Sequence, residues 1–422
     1  MESTPGQGPS LAPPLVASGR AAGRDRADLA ILTACQFLFY MGVSVDLTLT
    51  AMAGLSLAPT VALATLPLSA MTVVAMVSNF AAGMLSTRFG HRKVLAAGAV
   101  LATVGGLMSM WAMEVRSFAL LCAGTAVVGT YKATGGYFRY LAADRARPGR
   151  RERAVSTVLC GGVAAAILGP IAATACSDLL PAKYAGAYLL VSVLAAGVVP
   201  LVALVRSDRP APGKETAAAP PAAKAVVPVP VRTAAHTSAF RIGLGALTVA
   251  GFVMTLLMAA GPLGSAHAGH SAADSALIIQ WHMVGMFAPS LFSGRLNTRL
   301  GPRPTAILGG LILGVGALAG AAGTGMSSFV ISLALIGVGW NILYVAGSAF
   351  VVRCYPPGAG GRIQAVVEGS TGIFATVASL SSAPLFTSLG WQTLNVLAAL
   401  PPLALSLFLW VAPRPLDSSR ET

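Results

Sequence analysis

Charge is what this sequence has least of. Only 10% of its 422 residues are Asp, Glu, Lys or Arg, where soluble domains carry about 25%, and 55% are hydrophobic. With a mean hydropathy of +0.75, most of the chain has to sit in lipid. Acid is scarcer than base: 14 Asp and Glu stand against 28 Lys and Arg, a net charge of +14. The cations lie in short connections between apolar runs rather than on one polar face, which excludes a nucleic-acid partner. Cysteine is rare as well. Cys35, Cys122, Cys160, Cys176 and Cys354 are scattered singly with no C-x-x-C, so neither a disulfide nor a zinc framework is expected. Catalytic signatures are missing: the sequence has no phosphate-binding Walker loop, no G-x-S-x-G and no H-E-x-x-H. No soluble segment is large enough for an enzyme, so the expectation is a non-enzyme without cofactor, not driven by ATP.

What is present is apolar helix, repeated. A hydrocarbon core of about 30 Å takes about 20 apolar residues in a helix. The chain supplies twelve such runs, at 29–52, 60–85, 94–113, 118–142, 154–177, 184–206, 241–262, 274–296, 304–323, 328–352, 363–384 and 392–411. Together they predict an all-α membrane protein of twelve transmembrane helices. The even connections hold Arg88, Arg92 and Lys93, then Arg145, Arg147, Arg150, Arg151 and Arg153, then Arg295, Arg299 and Arg303, then Arg353 and Arg362; the odd ones hold only Arg116 and Lys183. That asymmetry places both termini in the cytoplasm. Residues 1–28 are rich in Pro, Gly and Ala, with no cleavage pattern in the apolar run that follows. They read as a disordered cytoplasmic tail. Residues 207–240, Pro/Ala-rich and without apolar periodicity, read as a cytoplasmic linker between a six-helix half at 29–206 and another at 241–411, with a second cytoplasmic tail at 412–422.

The two halves repeat each other. Gly83 to Lys93 reads GMLSTRFGHRK and Gly294 to Pro304 reads GRLNTRLGPRP. Gly83/Gly294, Leu85/Leu296, Thr87/Thr298, Arg88/Arg299, Gly90/Gly301 and Arg92/Arg303 are identical at a constant offset of 211 residues, the mark of a duplicated chain. The stretch resembles the loop signature of the major facilitator superfamily, G-x-L-a-D-R-x-G-r-r/k, between the second and third helices and again between the eighth and ninth. Thr87 and Thr298 stand where that family has Asp. The resemblance implies two pseudo-symmetric halves alternating in access to a central site, with these glycines and arginines as gating loops and Asp144 as an acid within reach of Arg88 or Arg92. YFRYLAAD at 137–144 and IIQWHMVGMFAPSLFSGRL at 278–296 resemble a bacterial branch of the family that includes riboflavin importers. Lys132 and Glu368 depart from that branch's pattern.

An ionisable side chain inside a membrane costs several kcal/mol unless paired or hydrated, so Asp46, Lys132, Arg139, His282 and Glu368 are the candidates for chemistry. In the family the first, fourth, seventh and tenth helices line the cavity. Asp46 lies on the first of these, in its outer third, and Lys132 and Arg139 on the fourth; by rise per residue, Asp46 and Lys132 are expected to differ in depth by roughly 12 Å. Asp46 and Glu368, the only acids inside helices, are the candidates for proton coupling. Gln36 and Tyr40 on the first helix, and Trp340, Asn341 and Tyr344 on the tenth, suit a flat, conjugated or sugar-like solute. His267, His270 and Asp274 in an outer loop are weak candidates for a divalent metal, and a polar loop is the simpler reading. The function expected is secondary active transport of a small anionic or polar-aromatic solute across a bacterial inner membrane, coupled to protons. The alternatives are proton-coupled drug or metabolite efflux, metal-ion or chelate transport, and a non-transporting membrane sensor or assembly subunit.

Overall fold

The structure, a computed structural model, describes residues 15–135, 137–138, 141–142, 151–205, 230–355 and 361–412. Arg139, Asp144 and linker residues 207–229 lie outside them. Among the described residues there is no strand. The first half holds α1 (Leu15–Leu57), α2 (Leu66–Phe89), α3 (His91–Glu114), α4 (Phe118–Thr134), α5 (Arg151–Cys176) and α6 (Ala185–Leu204). The second holds α7 (Ser238–His267), α8 (Ala272–Phe287), α9 (Pro302–Ala321) and α10 (Met326–Val352). Its last helical stretch, Gly361–Val411, divides at Gly390, φ 74°, into α11 (361–389) and α12 (391–411). Eight stretches are long and apolar enough to cross a membrane, the last of them being α11 and α12 together. α8 joins them as a bent span, a 3-10 turn at Ala288–Leu291 leading into Ser293–Leu300 at 51°. α4 and the apolar part of α5, Cys160–Cys176, are shorter, and with them the count agrees with twelve crossings.

Three expected boundaries move. α1 begins at Leu15, inside the segment expected to be disordered, because the stretch up to Asp28 is dominated by Ala and Arg, which favour helix. α1 also continues to Leu57, five residues past the expected end at 52. A short helix at Val231–Ala235 and the first turn of α7, capped by the Thr237 hydroxyl accepting from the Phe240 N–H, fall within 207–240.

The repeat is visible in the backbone. Gly90 (φ 84°) and Gly301 (φ 86°) each end one helix and start the next, and their N–H groups donate to Ser86 O and Asn297 O, both at 3.0 Å. A positive φ favours glycine, which is why both copies of the loop keep it. Small residues set the packing too: a Cβ on Gly105 of α3 would come within 2.7 Å of Gly124 O on α4, and one on Gly316 of α9 within 2.9 Å of Ile336 N on α10.

α2 packs on α11 and α5 on α8 along the seam between the halves. The Ser69 and Ser379 hydroxyls lie 2.8 Å apart and Ser382 Oγ donates to Thr65 Oγ1 at 3.2 Å. Gln280 Nε2 donates to Ile167 O at 2.9 Å, and Ser44 Oγ to Met283 Sδ at 2.9 Å. Tyr40 and Phe287 meet edge to face across the seam, ring centroids 4.8 Å apart. These contacts run from mid-bundle to the end away from Gly90 and Gly301, and they hold that far end closed.

Candidate transport site

Asp46 and Lys132 come together. A cleft inside the first half, between α1, α4 and α6, is lined by Phe39, Gly42, Asp46, Tyr131, Lys132 and Val191, among others. The expected difference in depth is corrected by the length of α1. Asp46 stands 11 residues from the far end of α1 and Lys132 14 residues from that of α4, roughly 16 and 21 Å along the helix axes. The two side chains are within electrostatic reach of each other. Close approach of α1 to α4 depends on Gly135, whose Cα lies against the Phe39 ring so that any Cβ would enter it. Phe39 in turn sits edge to face on Tyr131 at 5.0 Å.

The cleft is polar without being satisfied. Asp46 is buried and its Oδ1 has no hydrogen-bond partner, and the buried Tyr131 hydroxyl has none either. One turn beyond Asp46, Tyr188 of α6 donates to Thr50 Oγ1 at 3.2 Å, closing that side. Gly42 is buried, yet a Cβ there would meet nothing within 4 Å. The empty space therefore lies directly beside α1. Gln36, also on α1, is buried with its Oε1 unpartnered. Lone buried polar atoms of this kind favour water, a proton or a ligand.

A second surface lies on α10. Leu333, Gly337, Trp340 and Tyr344 fall about 180–240° around the helix from the exposed Ile331, at 100° per residue. Along that face Leu333 is 0% exposed, Gly337 is buried, Trp340 is half-buried and Tyr344 is 36% exposed. The face therefore opens progressively towards the end that carries Gly90 and Gly301. Trp340 and Tyr344 stack there, centroids 5.2 Å apart and planes at 27°.

The other candidates lie outside the lining of the Asp46 cleft. Asn341 does not share the Trp340–Tyr344 face. It is buried, and its Nδ2 donates to Met286 O at 2.8 Å and Ser290 Oγ at 2.7 Å, clamping the break in α8, while its Oδ1 is left without a partner. Glu368 is exposed on α11, outside the Asp46 cleft. His282 is buried, with Nδ1 2.8 Å from Leu333 O, and ties α8 to α10. The metal alternative does not assemble among the described residues. Asp274 closes a capping box with Ser271, His270 Nε2 lies 2.9 Å from Thr324 O, and His267 packs on Phe386. In the loops, Arg88 and Arg299 are exposed and Arg92 is half-buried, as are Gly90 and Gly301; Gly294 is exposed, and Gly83 lies within α2. Arg303 is held by the end of α12, its Nε donating to Leu409 O at 2.8 Å and its guanidinium also to Ala412 O.

The Major Facilitator Superfamily profile matches residues 29–279 and 243–422. The chain belongs to this superfamily. It is a multi-pass membrane transporter and not an enzyme. It is 30% identical over 373 residues, 88% of this chain and 92% of the other, to the riboflavin transporter RfnT of Brucella anthropi. It is 28% identical to the uncharacterized MFS-type transporter YdeG of Bacillus subtilis, covering 81% of each chain. Among solved structures, a D-xylose–proton symporter superposes with a TM-score of 0.71 at 14% identity, covering 93% of this chain and 98% of that one. The human organic anion transporter MFSD10 (TETRAN) does so with 0.65 at 15%, covering 91% and 99%. At these identities the two structures establish the shared fold of this transporter.

Sequence reading missed Gly42 and Tyr131, which shape the cleft, and the Ser/Thr pairs of the seam. Tyr131 had a signal in its position beside Lys132. The hydroxyl pairs had none, since Ser and Thr are unremarkable in membrane helices and their partners lie about 310 residues away in sequence.

Proposed function

We propose that this transporter is secondary active and proton-coupled, moving a small, flat, polar or anionic heteroaromatic solute of the riboflavin type across a bacterial cytoplasmic membrane with both termini inside. The observation that carries the coupling is the Asp46–Lys132 cleft: a buried carboxyl oxygen without a partner, facing a cation within electrostatic reach. Gaining or losing a proton at Asp46 changes whether Lys132 has a counter-charge, and a bundle of packed helices responds by shifting between arrangements. The cleft is internal to the first half, so it acts on the seam by moving α1 and α4 rather than by touching the solute. The solute surface is the Trp340–Tyr344 stack, on the face of α10 that opens towards the basic loops. A broad aromatic face holds a conjugated ring system at little conformational cost. Identity to a named riboflavin transporter over most of both chains supports that class of solute. Closure of the far end supports a resting state open to the cytoplasm, with Gly83, Arg88, Arg92, Arg299 and Asp144 acting when the inner side closes.

The test is flux in proteoliposomes over a panel of flavins, pterins, sugars and organic anions, with and without an imposed pH gradient. Gradient-stimulated movement of the flat heteroaromatic members alone is the expected outcome. Movement of sugars in preference to these, or flux indifferent to the gradient, removes the corresponding half of the proposal.

A further inference from the structure

The break in α8 gives the second half a feature absent from the first. α2 is one unbroken helix from Leu66 to Phe89, whereas its counterpart is interrupted at Pro289 and resumes as Ser293–Leu300 at 51° to the preceding span. The turn carries Ser293–Leu300 off the axis of the span that precedes it, next to the basic loop at Gly301. Its sequence is amphipathic. Arg295 and Arg299, four residues apart, share one side and are both exposed. Leu291, Phe292 and Leu300 are 66%, 50% and 51% exposed, so apolar surface and cations are presented together on one short segment.

The sequence around these cations holds no acid: there is no Asp or Glu between Asp274 and Glu368. Thr298, in the position between them, uses its hydroxyl on Arg295 O at 2.9 Å. Arg303 is already taken up by the end of α12, which leaves Arg295 and Arg299 as the pair turned outward. We infer that Ser293–Leu300 is a binding site for an anionic phospholipid, its phosphate held by Arg295 and Arg299 and its acyl chains against Leu291, Phe292 and Leu300. Arginine suits this role because its planar fork grips phosphate oxygens in pairs, and an interfacial helix with cations beside apolar residues binds acidic membranes. The inference does not depend on what the transporter carries.

Each arginine near an anionic surface contributes about fivefold in affinity, so the pair contributes about thirtyfold. The experiment places a benzophenone photocrosslinker at position 292 of the full chain in nanodiscs of mixed phosphatidylglycerol and phosphatidylcholine, and the lipid adducts are weighed by mass spectrometry. The ratio of phosphatidylglycerol to phosphatidylcholine adducts should exceed that of the bulk lipid by about thirtyfold and decline as salt is raised. In Arg295→Gln/Arg299→Gln it should return to the bulk ratio, and in Arg295→Lys/Arg299→Lys, which keeps the charge, it should stay enriched. A wild-type ratio equal to bulk, or capture of protein in place of lipid, overturns the inference. So does enrichment indifferent to salt, or a Lys variant no more enriched than bulk; these two readings hold even if the Gln variant does not fold.

Discussion

Asp46 and Lys132 are exposed to change in ways that separate a working pair from a structural one. Lys132→Ala leaves a buried carboxylate without its nearby cation, which lowers the melting temperature, and adding Asp46→Asn should recover it, since the double change removes the unpaired charge as well. A normal melt for Lys132→Ala alone would mean that the lysine only reaches for the interface. Gly42 offers a cleaner probe because its Cβ direction is empty. Gly42→Leu should fill the cleft beside Asp46 with little loss of stability and lower transport at least tenfold, read as initial flux in protein of unchanged melting temperature; undiminished flux would mean that the empty space has no part in turnover. The loop glycines are tested against each other. Gly301→Ala forces a side chain into an extended backbone region of positive φ (φ 86°, ψ 164°) that is essentially confined to glycine, at about 1–3 kcal/mol, whereas Gly294→Ala, in helical backbone with open space around it, should be neutral or slightly stabilising in the same melts.

Between elements, the far end is closed by neutral contacts, the Ser69–Ser379 and Thr65–Ser382 hydroxyl pairs among them, each worth little alone and therefore easy to break in a transport cycle. Oxidised Thr65→Cys/Ser382→Cys protein should cross-link α2 to α11 and stop transport, with recovery on reduction. Full activity in cross-linked protein would show that this end does not have to open. The clamp at the α8 break predicts that Asn341→Ala, which strips partners from Met286 O and Ser290, costs about 1–3 kcal/mol in stability. Helices and their ends were largely legible in the sequence because apolar length and basic loops are local signals. The start of α1 was misplaced because alanine-rich sequence without apolar periodicity reads equally as tail or helix, and the helical residues from Val231 were read with the linker for the same want of periodicity. Asn341 was read onto the wrong face because spacing gives an angle on a helix but not the neighbour that occupies it. Depth was misjudged for Asp46 because the expected run ended at 52, whereas the small and apolar residues 53–57 continue the helix to Leu57.

At the scale of the whole molecule, the duplication seen in GMLSTRFGHRK and GRLNTRLGPRP is carried into paired loop glycines, paired close-packed glycines and a seam in which α2 meets α11 as α5 meets α8. The halves differ where function would require it. The first holds the Asp46–Lys132 cleft, the second the Trp340–Tyr344 stack and the broken α8. If the cleft takes the proton and the stack takes the solute, as proposed, the two can be coupled only through the arrangement of the halves. The most direct measurement compares wild-type and Asp46→Asn protein in proteoliposomes, following both accumulation of riboflavin, the proposed solute, under an imposed pH gradient and its exchange with no gradient. Wild type should accumulate the solute above its external concentration, and Asp46→Asn should lose accumulation while still exchanging solute across the membrane. An Asp46→Asn protein that accumulates riboflavin as wild type does would contradict the account.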